Sequence, residues 1–153
     1  MRANASYATL DEALIRTVGA DELRKGRRLR EAVKETRSKL HQVASAYLAG
    51  MPSYNAWQEE MRDVDDDDSL REFCQSIMVT HISTRERLPI LDTFYTTLFA
   101  GMPAPQRVLD VACGLNPLAW SWMGLPASVQ YTAYDVYADM TGFLNAFFRQ
   151  QGL

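Results

Sequence analysis

The residues best suited to chemistry in this sequence lie in one turn and at the end of the apolar run that follows it. Asp110, Cys113 and Gly114 come at the end of a short apolar run, and a glycine there lets the backbone approach a ligand closely. Asn116 belongs to the residue type that tolerates a left-handed conformation best after glycine. Asp135 ends a second apolar run, where a carboxylate can accept hydrogen bonds from ribose hydroxyls. The pattern indicates a nucleotide-type cofactor site, and the alternative is an ordinary tight turn with a buried thiol.

Two strands and two helices are predicted to position these residues. The apolar runs at 107–112 and 129–134 are typical of buried parallel strands, and helical patterns follow them at 118–123 and 136–151. This order is the opening of a doubly wound α/β domain, in which ligands bind beyond the carboxyl ends of the strands. The sequence has no G-x-G-x-x-G motif, which disfavours a dinucleotide-dependent oxidoreductase.

The part of the chain before residue 104 is predicted to be helical. Three apolar helical patterns follow capping-box pairs, which are Thr9 with Glu12, Ser69 with Glu72, and Ser83 with Glu86. A further helix is expected from about Asp21 to Gly50, and a short one at 54–61. The acidic run at 64–68 predicts an exposed loop and an N-cap. Pro89 predicts a kink or a delayed start in the last of these helices.

Half of the cations in the chain lie between residues 24 and 39. They are Arg24, Lys25, Arg27, Arg28, Arg30, Lys34, Arg37 and Lys39. Only Glu31 and Glu35 oppose them within the segment, although the whole chain has a net charge of -3. Lysine and arginine contacts to phosphates supply most of the nonspecific affinity for nucleic acid. The segment therefore predicts an RNA-binding face, and the alternative is a solvated helix face.

Composition places the chain among globular proteins. It has 153 residues, 47% of them hydrophobic, which is enough for a buried core. No apolar stretch reaches membrane-spanning length and no signal peptide is evident, so we expect a cytoplasmic protein without a membrane partner. Cys74 and Cys113 lie within apolar patterns, which predicts buried, reduced thiols. His41 and His81 have no cysteine or carboxylate at ligand spacing, so no metal site is expected.

Four segments, in order along the chain, resemble one enzyme family. They are ETRSKLHQVASAY at 35–47, HISTRERLPILDTFY at 81–95, DVACGLNPLA at 110–119 and the run that ends in Asp135. They resemble the aminoglycoside-resistance 16S rRNA methyltransferases, which modify N7 of a guanine in the ribosomal decoding site. The resemblance implies an α/β fold with a helical rRNA-binding extension and linker helix at 1–104. The first half of a Rossmann-like methyltransferase domain, apparently truncated, would follow at 105–153.

The resemblance also implies a cofactor, S-adenosyl-L-methionine, and the residues that bind it. Residues 112–116 would pass along its methionine and sugar portions, Asp135 would hold the ribose, and Arg87 would pair with the carboxylate. Ala112 and Asn116 stand where the commoner methyltransferase pattern has glycines, a change that the family shares. Arg85 is expected to be an exposed helix charge. The expected cofactor-binding residues are Arg87, Asp110, Ala112, Cys113, Gly114, Asn116, Asp135 and Val136.

No side chain is expected to act as an acid or base. Guanine N7 carries a lone pair and no proton, so the enzyme has to align this nitrogen with the methyl group and exclude water. Residues 107–153 have room for two strands and two helices, which is less than a complete doubly wound domain. We therefore expect no methyltransferase activity from the chain alone. An unfinished sheet edge also predicts self-association, or poor order after about Ala104.

Three functions are open on the sequence. The first is the N-terminal part of a 16S rRNA (guanine-N7)-methyltransferase that acts on 16S rRNA in the small ribosomal subunit and confers aminoglycoside resistance. The second is a non-catalytic RNA-binding or interaction fragment with a vestigial cofactor loop. The third is an unrelated helical protein with an accidental strand-turn motif, and the resemblance in several segments makes it the least favoured.

Overall fold

The computed structural model describes residues 9–44 and 52–152, which form helices and a small parallel sheet. In order, the elements are α1 (Glu12–Arg24), α2 (Leu29–Ala44), α3 (Tyr54–Glu60), α4 (Asp67–Met78), α5 (Ile82–Arg85), α6 (Leu91–Leu98), β1 (Arg107–Val111), α7 (Trp120–Met123), β2 (Gln130–Tyr134) and α8 (Ala138–Gln150). Short 3-10 helices cover Met61–Asp63, Leu88–Ile90 and Asn116–Ala119. Within the described ranges, no helix has the length and apolarity that a bilayer span requires.

The basic segment covers the end of α1, a turn and the first part of α2. We call this part of the structure, residues 24–39, the basic corner. We predicted one helix starting at about Asp21, but α1 continues through this residue and ends at Arg24. Gly26 then adopts a left-handed φ of 73°, which turns the chain at a residue that carries no Cβ. α2 begins at Leu29 and packs against α1. The predicted end of the second helix at Gly50 lies outside the described residues.

Aspartates cap α1 and α4, for which we predicted capping boxes that begin at Thr9 and Ser69. α1 begins after Asp11, whose Oδ1 accepts the backbone N–H of Leu14 at 2.9 Å, so Thr9 is not the cap. α4 begins after Asp66, whose Oδ1 accepts two backbone N–H groups, including that of Ser69 at 2.8 Å. Aspartate is as good an N-cap as serine, so an aspartate at the right position replaces the predicted hydroxyl. The acidic run therefore supplies the N-cap that we expected of it.

Pro89 delays the helix that we predicted after Ser83. α5 is only 4 residues long, and Pro89 lies in the 3-10 helix that separates α5 from α6. A proline has no N–H to donate, and its ring clashes with the preceding turn of a helix. α6 therefore begins only at Leu91, which confirms the delayed start. Ser83 lies inside α5, and His81 occupies the N-cap position.

β1 and β2 are parallel neighbours, which confirms the predicted order of strand, helix, strand and helix. Their register pairs Arg107 with Gln130 at one end and Val111 with Tyr134 at the other. Parallel pairing brings the carboxyl ends of both strands to one edge of the sheet. The turn that follows β1 and the loop that follows β2 therefore lie side by side.

One face of this sheet is uncovered, so our prediction of fully buried strands is wrong. Leu109, Val111 and Tyr134 are each more than half exposed. On the opposite face, the ring of Tyr131 packs against Trp120 and Phe148 at centroid distances of 5.7 and 6.0 Å. The helices that follow the two strands thus cover only one face, and apolar runs alone do not reveal which faces receive a cover.

A single core joins the helical part of the chain to the sheet. The Phe143 ring of α8 contacts Tyr54 and Trp57 of α3 at centroid distances of 5.9 and 5.7 Å. Cys74 of α4 and Cys113 of the turn after β1 belong to the same core, and both are buried and free, as predicted. Because this core includes residues from both sides of position 104, it holds the turn after β1 against the helices.

A second junction connects the start of α1 with the end of β2. Leu10 is buried and forms an antiparallel bridge with Tyr137. The Asp11 backbone N–H donates to the carbonyl of Val136 at 2.8 Å. These contacts attach the start of α1 to the loop that carries Asp135.

Candidate functional site

A cavity of about 520 Å³ opens at the carboxyl ends of β1 and β2. This is where ligands bind in open α/β sheets. Its lining combines one guanidinium, one carboxylate, an imidazole and several apolar groups, supplied by His81, Ser83, Arg87, Val111, Ala112, Tyr134, Asp135, Val136 and Tyr137. Four of the eight predicted cofactor-binding residues therefore line the cavity: Arg87, Ala112, Asp135 and Val136.

The turn after β1 contains two left-handed residues, and Asn116 is not one of them. Ala112 has a φ of 55° and Gly114 a φ of 52°, whereas Asn116 begins a 3-10 helix. Asn116, which we singled out as tolerant of a left-handed conformation, therefore does not adopt one. A left-handed alanine costs roughly 1 to 2 kcal/mol, which the buried turn has to offset through its other contacts. One such contact is the hydrogen bond from the Cys113 N–H to the carbonyl of Tyr134 at 3.0 Å.

Asp135 connects the turn after β1 with the loop after β2 through hydrogen bonds. Its Oδ2 accepts the backbone N–H of Gly114 at 2.8 Å, and its Oδ1 accepts the N–H of Val136 at 2.7 Å. An ionised carboxylate has about four acceptor positions, so two remain for hydroxyl groups in the cavity. The predicted acid after β2 thus lines the cavity with acceptor positions to spare, and it also shapes the turn opposite.

A chain of hydrogen bonds holds Arg87 in place and connects it through Asn116 to Asp110 of β1. Its Nε donates to the carbonyl of Ser83 at 2.9 Å, and its Nη1 donates to Oδ1 of Asn116 at 2.5 Å. The Asn116 Nδ2 donates to Oδ2 of Asp110 at 2.6 Å. The Tyr95 hydroxyl also donates to the Asn116 Oδ1, at 2.6 Å. Asp110 and Asn116 therefore support the guanidinium from behind and do not line the cavity.

Burial perturbs the tyrosines of this chain of hydrogen bonds. It raises the pKa of Tyr95 to about 12. Burial also raises the pKa of Tyr131, whose hydroxyl donates to Oδ2 of Asp110 at 2.5 Å. Both hydroxyls therefore stay protonated near neutral pH and serve as fixed donors.

His81 lines the cavity, and the sequence did not single it out for that role. Its Nδ1 lies 2.9 Å from the Ser83 hydroxyl oxygen. Burial lowers the pKa of His81, and nearby Asp135 partly opposes this shift. The ring is therefore neutral at pH 7. Its place at the start of the HISTRERLP segment was the available signal, because Arg87 comes from the same segment.

Cys113 and Gly114 lie beneath the cavity in the buried turn. Both residues are buried, and burial raises the pKa of the Cys113 thiol to about 12. A protonated thiol with this pKa is a poor nucleophile and a poor metal ligand. Among the residues that the structure describes, no group of three or more His, Cys, Asp or Glu side chains could hold a metal ion.

The eight cations of the basic segment surround the corner between α1 and α2, and ion pairs divide them into groups. Arg24 pairs with Asp21 on the helix surface. Lys25, Arg27 and Lys39 all contact the carboxylate of Glu22, whose side chain is fully buried. The remaining members of the segment are exposed side chains, namely Arg28, Arg30, Lys34 and Arg37.

Comparisons with known proteins agree with this geometry. Residues 3–150 match the family model described as "Ribosomal RNA methyltransferase (FmrO)". A 16S rRNA (guanine(1405)-N(7))-methyltransferase of Micromonospora echinospora is 40% identical over 127 residues, which are 80% of this chain and 46% of that protein. The chain thus spans about half the length of the curated relatives that it matches.

Two solved structures show the same fold. The 16S rRNA methylase RmtB superposes with a TM-score of 0.76 and 27% identity, over 97% of this chain and 56% of that one. The 16S rRNA methyltransferase RmtF in complex with S-adenosyl-L-homocysteine superposes with a TM-score of 0.65 and 25% identity, over 97% and 55% of the two chains. With a family match that covers nearly all of its residues, the chain belongs to the ribosomal RNA methyltransferase (FmrO) family.

Proposed function

We propose that this chain is the N-terminal part of a 16S rRNA (guanine-N7)-methyltransferase that confers aminoglycoside resistance and uses S-adenosyl-L-methionine. The observation that carries the proposal is the meeting of Arg87 and Asp135 in one cavity at the carboxyl ends of both strands. Residues 1–104 would form the rRNA-binding extension and linker helix. Residues 105–153 would form the first half of a Rossmann-like domain, with a parallel strand pair at its centre.

The side chains of the cavity fit the proposed cofactor. A guanidinium suits a planar carboxylate, and the free acceptor positions of Asp135 suit a ribose diol. The cavity volume also falls within the ordinary range for small-molecule sites. S-adenosyl-L-methionine would supply an electrophilic methyl group. Arg87 and Asp135 would orient it, and the buried turn between them would exclude water.

Acceptor recognition would depend on the basic corner. Its cations would contact phosphates of 16S rRNA in the small ribosomal subunit, which places the site of action in the cytoplasm. Phosphate contacts fix the position and orientation of a protein on a nucleic acid but read no base. Recognition of one guanine would therefore need contacts other than those of the basic corner to phosphates.

Calorimetry with S-adenosyl-L-homocysteine tests the cofactor half of the proposal. Arg87→Ala and Asp135→Ala should each weaken binding about 10- to 100-fold, because each removes hydrogen bonds to or from a charged group. Arg85→Ala is the matched control, since Arg85 is an exposed arginine at the end of α5, two positions before Arg87. Equal affinities of the Arg87→Ala and Arg85→Ala variants would rule out the proposed carboxylate site.

A second function is favoured by the uncovered face of the sheet. A non-catalytic RNA-binding or interaction fragment would keep the basic corner and a vestigial cofactor loop. The two functions predict different behaviour when the remaining half of a relative is supplied as a separate polypeptide. Transfer of labelled methyl groups to small ribosomal subunits by the mixture, with none by the chain alone, supports a methyltransferase part. No transfer by a mixture that forms a stable complex supports the fragment.

A further inference from the structure

A buried carboxylate organises one part of the basic corner. The Glu22 side chain is fully buried, yet three cations from different places contact it. Lys25 follows α1, Arg27 lies in the turn, and Lys39 comes from α2. The Nζ atoms of Lys25 and Lys39 each lie 2.7 Å from Oε1, and Arg27 contacts Oε2. We call these three cations the Glu22 triad.

The triad contains more positive charge than the fold requires. A buried carboxylate has to be paired, because an unpaired charge in a protein interior is strongly destabilising. One or two well-placed cations would meet that need, but Glu22 has three, which leaves a surplus of about two positive charges. The neighbouring Lys25 ammonium is the chief cause of the lowered pKa of Lys39, which indicates that these two cations repel each other. An anion bound from solvent would relieve it.

The side chains of the triad are partly exposed to solvent, and the buried Glu22 carboxylate restrains their positions. These side chains are 37% to 50% exposed, although the carboxylate beneath them is not exposed at all. Immobilising a long cationic side chain on binding costs conformational entropy. Glu22 restrains three such side chains in advance, so a phosphate group that meets them encounters part of this ordering already complete. Exposed cations of the same corner, such as Arg30 and Lys34, are not restrained by this carboxylate.

We propose that the Glu22 triad is a preorganised phosphate-binding site for folded rRNA and that it supplies more affinity than the other cations of the corner. The inference rests on the proposed rRNA-binding function and names the side chains that carry it. Both lysine Nζ atoms contact the same oxygen, so they are close enough to contact one phosphate or two adjacent phosphates. Glu22 acts as a positioning residue through the cations and does not touch the RNA.

Salt-dependent binding of the 153-residue chain to purified 16S rRNA tests the proposal. Lys25→Gln, Arg27→Gln and Lys39→Gln should each weaken binding about three- to tenfold, and the slope of log affinity against log salt should fall by about 0.7 to 0.9 for each phosphate that the variant no longer neutralises. Lys34→Gln makes the same charge change at an exposed site on α2, and its effect should be smaller. Arg16→Gln, on α1 outside the corner, should leave binding unchanged within about twofold.

Glu22→Gln gives a test whose sign separates two explanations. If only total charge matters, removing a carboxylate from a basic surface should strengthen RNA binding. If preorganisation matters, the freed cations lose their restraint and binding should weaken about three- to tenfold despite the added positive charge. Circular dichroism checks that the variant folds. If it does not, the single cation variants decide the question.

The binding affinities of the triad variants, of Lys34→Gln and of the wild type distinguish three cases. Reductions in affinity for the triad variants well above that for Lys34→Gln support the proposal. Equal reductions for the triad variants and Lys34→Gln overturn it but leave a general basic RNA-binding face. A wild-type chain that does not bind 16S rRNA even at low salt overturns the RNA-binding function itself, and the triad proposal with it.

Discussion

The His81 imidazole lies directly against the backbone of Gly114, and this contact requires two properties of glycine at once. A Cβ added to Gly114 would lie 2.8 Å from Cε1 of His81, closer than such atoms can approach. The residue also has a left-handed φ of 52°. Gly124 provides a natural comparison, because its φ is 60° and a Cβ there would meet nothing within 4 Å.

Replacing each glycine with alanine separates the two requirements. Gly124→Ala should lower the free energy of unfolding by roughly 1 to 2 kcal/mol, the cost of a left-handed side chain. Gly114→Ala should lower it by about 1 to 3 kcal/mol more, because the methyl group overlaps the imidazole. Urea unfolding measures both variants. His81→Ala in the Gly114→Ala background should recover the difference, and equal effects at the two glycines would show that the contact with His81 does not matter.

The lowered pKa of His81 predicts a specific pH dependence of stability. Burial holds the folded-state pKa below the ordinary value of 6.5, so on acidification the unfolded chain takes up a proton at a higher pH than the folded chain does. The stability that the neutral ring contributes is complete above pH 6.5 and is lost as the pH falls from there toward the folded-state pKa. The slope cannot exceed about 1.4 kcal/mol per pH unit for one group.

Urea unfolding at pH values from about 7.5 to 5.5 checks this prediction. The wild-type chain should lose stability below pH 6.5, and His81→Asn should lose less over the same interval because it has no ring to protonate. His41 is present in both chains, so its contribution cancels. Parallel curves for the two proteins would mean that His81 titrates alike in the folded and unfolded states.

At the scale of helices and strands, sequence patterns predicted the features that depend on residues close together in the chain. A hydrophobic repeat of about 3.6 residues predicted most of the helices, and short apolar runs predicted both strands, because these are local properties of the sequence. Competition between neighbouring caps shifted the start of α1 from Thr9 to Asp11. In the turn after β1, Gly114 and the non-glycine Ala112 are left-handed, and residue preference alone did not indicate Ala112.

Contacts between distant segments could not be read from these patterns. Arg87 meets Asn116 across 29 positions, and the burial of Glu22 depends on how α1 packs on α2. The structure places Arg87 and Asp135, which we expected to bind one cofactor, in one cavity. Family resemblance did not predict the hydrogen bonds that hold the Arg87 guanidinium, because these depend on the packing of α6 against the turn after β1.

The packing of α3 against α8 leaves one hydroxyl without a partner. Within the described part of the chain, the buried Tyr54 hydroxyl has no hydrogen bond, although its ring packs against Trp57 and Phe143. A buried polar group in this state costs about 1 to 3 kcal/mol. Tyr54→Phe should therefore leave the free energy of unfolding unchanged or raise it by up to about 1 kcal/mol.

Tyr95→Phe is the matched comparison in α6. The Tyr95 hydroxyl donates to Asn116, so its removal should lower the free energy of unfolding by about 1 kcal/mol. Thermal or urea unfolding of the two variants gives the result directly. A destabilisation by Tyr54→Phe as large as that by Tyr95→Phe would mean that the Tyr54 hydroxyl has a partner after all.

At the scale of the whole molecule, one face of the described sheet has no cover. Parallel sheets are ordinarily covered on both faces, whereas Leu109, Val111 and Tyr134 are each more than half exposed here. The chain spans about half the length of the curated relatives that it matches. We propose that a second copy covers this face when the chain is alone, and that the remaining half of a methyltransferase would displace that copy.

Sedimentation of the purified chain tests this proposal. We expect a concentration-dependent dimer for the wild type, because each copy removes the same apolar face of the other from water. Leu109→Lys should yield a monomer, since two lysines and the nearby Arg107 side chains would then face one another across the dimer. Leu98→Lys is the control: it makes the same change at another exposed leucine, on α6, and should leave the dimer intact. A wild-type chain that sediments as a monomer at high micromolar concentration, with slow amide exchange in β1, would show that the sheet needs no such cover.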